Sequence, residues 1–297
     1  MSKTGRAGFA LRVLFVDTES IETAPLYQDL FAKAQEAYPT YEFASLPLDH
    51  IFDLVAAEDD LFTLLPTSMP KDSSSGDKLE QLLASLNSAT ARADVVSTLR
   101  TKLIVEHAKS TGCEGVLWGD STTKLAEKTL AETAKGRGFS LPWQVADGES
   151  PFGLTFNYPL RDLLKKELVS YTDINGPPLS TIVRESLPTQ ASISSKNTTI
   201  DDLMKQYFES VEENFPSIVS NVVRTTGKLE ATPVSGLTPI CSLCSMPVSD
   251  SRFGISGWGG DQQTSAEDAG RKTARLCYGC TRSMPHPTTV TATDRNG

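Results

Sequence analysis

Histidine, cysteine and long apolar runs are scarce in this chain of 297 residues, and each scarcity excludes a class of protein. The three histidines, His50, His107 and His286, lie far apart and form no HExxH motif, which excludes a metalloprotease of that kind. No apolar run approaches the roughly 18 residues of a membrane span, and no apolar signal core follows the basic N-terminus. The first hundred residues contain no cysteine. These absences indicate a protein of the cytosol or nucleus with no membrane partner.

Nucleotide-binding loops of the common kinds are also missing. The sequence contains no GxxxxGK[ST], GxGxxG or SGGxDS pattern, and no Ser/His/Asp grouping can be argued from spacing. The residues alone therefore do not indicate catalysis. We expect ATP not to bind to this chain by itself.

The net charge of −9 argues against a general nucleic-acid coat protein. Any contact with RNA has to come from a local patch. One such patch lies beside the second of two cysteine pairs and consists of Arg271, Lys272, Arg275 and Arg282. An equally good interpretation is that these four side chains are solvated surface charges.

Four of the five cysteines form two CxxC pairs, Cys241–Cys244 and Cys277–Cys280, with 32 residues between them. Each CxxC turn presents two thiolates on one side, so two turns supply the four ligands of a tetrahedral zinc ion. The separation is longer than the usual ~15–20 residues. Two disulfides in a secreted protein, or a thioredoxin-type redox site, are the alternatives. The pattern favours a structural zinc ribbon with Cys241, Cys244, Cys277 and Cys280 as ligands.

Strand and helix patterns alternate along the first two thirds of the chain, which predicts an α/β fold with a parallel sheet. The predicted elements are strands at 11–17, 41–48 and 114–119, and helices at 21–38, 78–109 (one long or two consecutive), 120–135, 160–170 and from Thr199 to Pro216. Polar stretches 66–77 and 188–199 read as disordered loops. We predict an α/β domain over 1–235, a zinc-ribbon module over 236–285 and a disordered tail over 286–297.

The turn Gly119-Asp120-Ser121 lies at a strand end and opens a helix, where open α/β sheets bind ligands. A helix N-terminus with glycine and small hydroxyls suits a phosphate, although most such turns are only well-capped helices. Gly136-Arg137-Gly138 allows a tight turn after that helix, and Arg137 is a second candidate for a phosphate contact.

Several of these segments occur in one order that resembles the cytoplasmic tRNA 2-thiolation protein 2 family. They are Val13-Leu-Phe-Val-Asp17, Leu117-Trp-Gly-Asp-Ser-Thr-Thr-Lys-Leu-Ala126, Gly136-Arg-Gly138, Tyr158-Pro-Leu-Arg-Asp162 and the two CxxC pairs. The resemblance spans about residues 10–285 and implies a Rossmann-like parallel sheet of the PP-loop ATPase superfamily, located in the cytoplasm.

The resemblance also implies a function. Such a protein takes part in converting wobble uridine to 2-thiouridine in tRNA for Lys, Glu and Gln. It pairs with a paralogous catalytic subunit that activates uridine, and sulfur comes from a ubiquitin-like carrier, which is also used in protein conjugation. The protein itself is expected to be the non-catalytic half of the heterodimer. The candidate residues for a contact with tRNA are Arg137 and, from the basic patch, Arg271, Lys272 and Arg275.

The sequence departs from the family pattern at its start. Members normally begin with a cysteine-rich segment and a strand leading into the SGG-type loop, whereas Met1 here stands just before the second strand. We expect an N-terminally truncated form. Gly119, Asp120 and Ser121 match the second nucleotide motif of active relatives without its histidine and paired acids, so this site is expected to be vestigial. The alternative function is a zinc-ribbon adaptor between proteins, unrelated to tRNA.

Overall fold

A computed structural model of the protein describes residues 8–18, 20–21, 28–66, 69–70, 72–183, 198–231, 234, 238–248 and 275–284. Five strands lie within these residues: β1 (Arg12–Asp17), β2 (Glu42–Pro47), β3 (Gly115–Leu117), β4 (Gly148–Glu149) and β5 (Thr155–Asn157). The helices of the first half are α1 (Gln28–Ala37), α2 (Ile51–Leu54), α3 (Ser75–Ala84), α4 (Ala89–Ser110) and α5 (Thr122–Ala134). Those of the second half are α6 (Leu141–Gln144), α7 (Lys165–Asn175), α8 (Leu179–Ile182), α9 (Ile200–Asn214), α10 (Pro216–Thr226) and α11 (Tyr278–Ser283).

The first sheet is a parallel pair of β1 and β2, with Val13 opposite Phe43. Parallel strands need a crossover connection, and α1 lies within it. The ring of Phe31 on α1 packs against both strands, with centroids 5.4 Å from Phe15 and 5.6 Å from Phe43. Helix α1 therefore covers one face of this pair.

The second sheet has the order β3-β5-β4, in which β3 pairs with β5 in parallel and β4 pairs with β5 antiparallel. Within the described residues no ladder joins the two sheets. Arg12 at the start of β1 donates a hydrogen bond of 2.9 Å to the carbonyl oxygen of Thr111, just before β3. The predicted α/β class with parallel strands is confirmed.

The hydrophobic interior consists of two clusters that meet along α4. Val95, Leu99 and Leu103 of α4 belong to the first cluster, which α2, α3 and the cysteine-bearing segments complete. Val105 and Ala108, farther along α4, belong to the second, which α5, β5, α9 and α10 complete. The two segments that carry the cysteines, 238–248 and 275–284, thus pack on the same core as α2 and α3. The predicted division at residue 236 stays a prediction.

Most predicted elements occur within a few residues of their expected bounds. The helix predicted over 160–170 is an exception, because the observed helix begins later than predicted. Residues 159–163 form turns whose carbonyl groups bind the start of α5: Thr122 N donates to Leu163 O and Thr122 Oγ1 donates to Arg161 O. The helix, α7, starts only at Lys165. Asp162 is therefore not at a helix N-terminus.

The predicted loop over 66–77 is also partly wrong. Helix α3 begins at Ser75, because Ser74 and Asp77 form a capping box in which each side chain accepts from the other's backbone N–H. The pattern over 78–109 resolves into two helices, α3 and α4. Of the stretch 188–199 only the last two residues are described, and the tail from 286 lies outside the described residues. No helix in the described part of the chain is long and apolar enough to cross a membrane.

Candidate metal centre and strand-end cavity

The four paired cysteines converge on one point. Their sulfur atoms all lie within 4.8 Å of one another, and Cys244 Sγ is 4.0 Å from Cys277 Sγ. All four are free thiols, so the two-disulfide alternative does not describe this structure. The predicted grouping of Cys241, Cys244, Cys277 and Cys280 is present, and these residues could hold a metal ion.

Backbone hydrogen bonds set this geometry. The first turn closes through Ser245 N donating to Cys241 O, with Ser245 in the left-handed region at φ 56°. Ser242 N donates to Arg275 O at 2.9 Å, and Arg275 N donates back to Ser242 Oγ at 3.0 Å. These two bonds fix the second CxxC segment beside the first. Cys277 N donates to Cys241 Sγ at 3.3 Å, and such a backbone N–H stabilises the thiolate form that a metal ion needs.

The sulfur separations fit a single tetrahedral ion. Four thiolates about 2.3 Å from a zinc ion lie about 3.8 Å from one another, close to the observed spacing. A four-iron cluster places several atoms between its thiolates and spreads them farther apart. The donor set and its burial therefore favour one ion, and zinc as that ion stays a prediction.

The thiols also perturb one another. Hydrogen bonds from Cys244, Cys277 and Cys280 lower the pKa of Cys241 well below its ordinary value. Hydrogen bonds with Cys241 and Cys277, together with burial, raise the pKa of Cys244 and of Cys280 well above it. A cation at the centre would relieve this asymmetry, because it stabilises every thiolate.

A buried ionic cluster holds the metal centre against the body of the protein. Arg137 donates to both carboxylate oxygens of Asp94 and to both of Glu132, and Ser283 Oγ of α11 donates to Asp94 Oδ2 at 2.6 Å. Lys135 binds Asp201 at 2.7 Å. Although burial raises the pKa of Asp94, the hydrogen bond and charge of Arg137 lower it to about 2. The cluster thus joins α4, α5, α9 and α11.

Two glycines let α11 approach this cluster. A Cβ on Gly279 would lie 2.6 Å from Arg137 Cγ and 2.7 Å from Lys135 O. Gly136 has φ +81°, and its Cβ would lie 2.3 Å from Tyr278 Cδ1. The glycine at each of these two positions follows from close packing, which accounts for the first glycine of the motif Gly136-Arg137-Gly138 but not for Gly138, whose Cβ would only reach Thr133 Oγ1 at 3.9 Å.

Of the four residues predicted to contact tRNA, Arg137 and Arg275 lie within the described residues. Arg137 is only 3% exposed and its guanidinium is occupied by the two carboxylates. Arg275 is exposed beside the cysteine turn, and Arg271 and Lys272 lie outside the described residues. The ion pairs of Arg137 explain why this arginine is buried at this position. Contact of the other three residues with tRNA stays a prediction.

The strand-end turn opens onto a cavity of about 240 Å³. Ser121 caps α5, since its Oγ accepts from Lys124 N at 3.2 Å, and Asp120 lines the cavity. Gly119 and Ser121 are not part of the cavity wall. Binding of a nucleotide by this turn stays a prediction.

The ionic cluster was not predicted from the sequence. The sequence signal that could have indicated it is the position of an acid, Asp94, directly before two apolar residues that are buried, Val95 and Val96.

Comparison with known proteins identifies relatives along nearly the whole chain. The family model described as cytoplasmic tRNA 2-thiolation protein 2 matches residues 199–282. A protein of that name from Phaeosphaeria nodorum is 62% identical over 98% of this chain and 76% of its own length. Others are 59% identical in Pyrenophora tritici-repentis, over 98% of this chain and 76% of the relative, and 39% identical in Aspergillus clavatus, over 94% and 74%.

Among solved structures, the U34-tRNA thiolase NcsA from Methanococcus maripaludis, with its [4Fe-4S] cluster, matches 86% of this chain and 72% of its own. The TM-score is 0.48 and the sequence identity is 15%.

Proposed function

The chain belongs to the cytoplasmic tRNA 2-thiolation protein 2 family, and on that basis we propose that it is a subunit of the cytoplasmic complex that 2-thiolates wobble uridine in tRNA for Lys, Glu and Gln. The observation that carries the proposal is the 62% identity over 98% of the chain. The match runs almost from end to end, so it covers the segments that carry the strand-end turn and both CxxC pairs.

Within the complex we assign this chain a supporting part, with catalysis supplied by a paralogous subunit. Asp120 is the acid of the strand-end turn, and the next charged side chains along α5 are Lys124, Glu127 and Lys128. This arrangement has neither the histidine nor the paired acids expected of an active nucleotide motif. The ionic cluster and the cysteine site serve to hold a rigid shape, which suits a subunit that docks and orients others.

The partners of this function are the catalytic paralogue in a heterodimer, tRNA, and a ubiquitin-like protein that delivers the sulfur and is also conjugated to proteins. We assign a structural zinc ion to the four cysteines. The candidate tRNA contact nearest that ion is Arg275, since its backbone is bonded to Ser242 of the first cysteine turn.

Deletion of the gene followed by mass spectrometry of tRNA nucleosides tests the proposal. We expect 2-thiouridine to disappear from the wobble position of the three tRNAs and to return when the gene is restored. Purification of the tagged full chain should recover the paralogue in equal amount. Unchanged thiolation in the deletion strain would exclude the function, and recovery of unrelated proteins without the paralogue would favour the adaptor alternative.

A further inference from the structure

The cavity at the strand end lies between α4, α5 and the first cysteine turn. Its wall includes Thr98 of α4, Lys128 of α5, Tyr158, and Cys244 with Met246 of the turn. The volume of about 240 Å³ lies below the ~300 Å³ at which pockets for drug-sized ligands begin, and far above that of one water. The cavity therefore suits a small chemical group better than a whole nucleotide.

Most charged side chains in its wall already lie in ion pairs, with each other or with Lys135 just outside the wall. The carboxylates of Asp94 and Glu132 are bound by Arg137, and Asp201 is bound by Lys135. Lys124 Nζ donates to Glu127 at 3.0 Å. These groups form closed ion pairs, so they contribute little net field to a ligand in the cavity.

Lys128 and Trp118 differ from these groups. Among the described residues Lys128 Nζ has no hydrogen-bond acceptor, and its ion-pair partner, Asp120 Oδ2, is 4.0 Å away. Burial lowers the pKa of Lys128 below its ordinary value, with Asp120 offsetting only part of that effect. The indole Nε1 of Trp118 is buried and has no acceptor either. The Lys128 side chain keeps 26% of its surface exposed, so the indole N–H is the buried donor that an acceptor bound here would satisfy, and the Lys128 ammonium group would add its charge.

The two donors point in different directions. Lys128 Nζ lies 5.6 Å from the centroid of the Trp118 ring, over its face, whereas the indole N–H lies in the plane of the ring. A tetrahedral oxyanion presents oxygen atoms in several diverging directions and can accept from both. A carboxylate presents its two oxygen atoms in one plane and fits this arrangement less well.

We propose that the cavity between α4, α5 and the Cys241–Cys244 turn binds a phosphate group, with Lys128 Nζ and Trp118 Nε1 as its donors. The phosphate comes either from a free small molecule or from an RNA backbone, since both offer the same oxygen atoms. Binding of phosphate to the isolated chain does not depend on the function proposed above, so the phosphate site and the function in tRNA thiolation can be tested independently.

The test uses the indole N–H signals in the nitrogen–proton NMR spectrum of the full chain with its metal bound. The chain has three tryptophans, and Trp118→Phe identifies the signal of Trp118. Inorganic phosphate, added at constant ionic strength against chloride, should shift this signal saturably in the millimolar range. Lys128→Met should weaken binding about tenfold, the ~1.4 kcal/mol expected for loss of a charged hydrogen bond. Lys128→Arg should retain binding.

The matched control is Lys33→Met on the exposed side of α1, which removes the same charge outside the cavity and should leave the affinity unchanged. Competition by adenosine monophosphate would identify a free phosphate as the source. Competition by a short RNA without terminal phosphates would identify the backbone. No saturable shift in the wild type, an equal affinity in Lys128→Met, or saturation by uridine without phosphate would each overturn the proposal.

Discussion

Arg137 donates hydrogen bonds from both of its terminal nitrogen atoms to the carboxylate of Asp94, although the two residues are 43 positions apart in the sequence. Both side chains are buried almost completely, and the same carboxylate accepts from Ser283 Oγ of α11. This pair therefore joins the helix that carries the second half of the metal centre to the middle of the α/β body.

Replacing Asp94 by Asn should destabilise the protein by about 3–5 kcal/mol, because Arg137 and Lys135 would lose a carboxylate while remaining buried. Urea denaturation followed by circular dichroism measures the change. The matched control is Asp173→Asn on exposed α7, for which we expect a change within about 0.5 kcal/mol. Equal stability of the two variants would mean that the buried pair contributes no net stability.

The stability supplied by Asp94 should depend on pH. Its pKa is about 2 in the folded protein against an ordinary 3.8, so the unfolded chain binds more protons between these values. The contribution, about 2.5 kcal/mol in full, is present above pH 4 and is lost as the pH falls through 2. The difference in unfolding free energy between wild type and Asp94→Asn should therefore shrink by about 1 kcal/mol from pH 5 to pH 3. A constant difference would contradict the pKa assignment.

Loss of one cysteine ligand should release the metal. Cys241→Ser or Cys277→Ser should purify with less than stoichiometric metal and a lower free energy of unfolding, because a structural ion contributes folding free energy directly. Elemental analysis of the purified protein reports both the amount and the identity of the ion, with zinc expected. Cys113→Ser, which removes a thiol outside the four-cysteine site, should keep one ion per chain. A full complement of metal in Cys241→Ser would rule out this ligand set.

A methyl group on α11 should disturb its docking. In Gly279→Ala the new Cβ meets Arg137 Cγ at 2.6 Å and Lys135 O at 2.7 Å, and the second of these is backbone that cannot move aside easily. We expect a loss of about 1–3 kcal/mol in the free energy of unfolding. Gly119→Ala is the control, since nothing lies within 4 Å of its Cβ, and it should be neutral. A stable Gly279→Ala protein would show that α11 tolerates a wider spacing.

Local signals were sufficient to predict several elements. The apolar run before Asp17 predicts β1, Ser121 caps α5 and Thr199 caps α9, because each signal acts on residues within one turn or strand. The convergence of the four cysteines also follows from ligand chemistry. Strand β5 was missed because three residues, Thr155–Asn157, are too few for a periodicity.

Long-range pairings explain the other differences. The early start predicted for the 160–170 helix fails because Arg161 O and Leu163 O bind Thr122, some forty positions away. Arg137 looks like a surface residue between two glycines, and only its partners on α4 and α5 reveal that it is buried. Ser283 and Asp94 are 189 positions apart, and nothing in either local sequence indicates their contact.

Helix α4 runs through both hydrophobic clusters, with Leu103 in the first and Val105, two residues later, in the second. Its 22 residues extend about 33 Å, so one continuous helix contributes to both hydrophobic clusters. If either cluster unfolded, α4 would lose its packing on that side, and the other cluster would lose part of its own core. The metal-bearing segments and the sheet that ends in the phosphate cavity should therefore lose their structure in one cooperative transition.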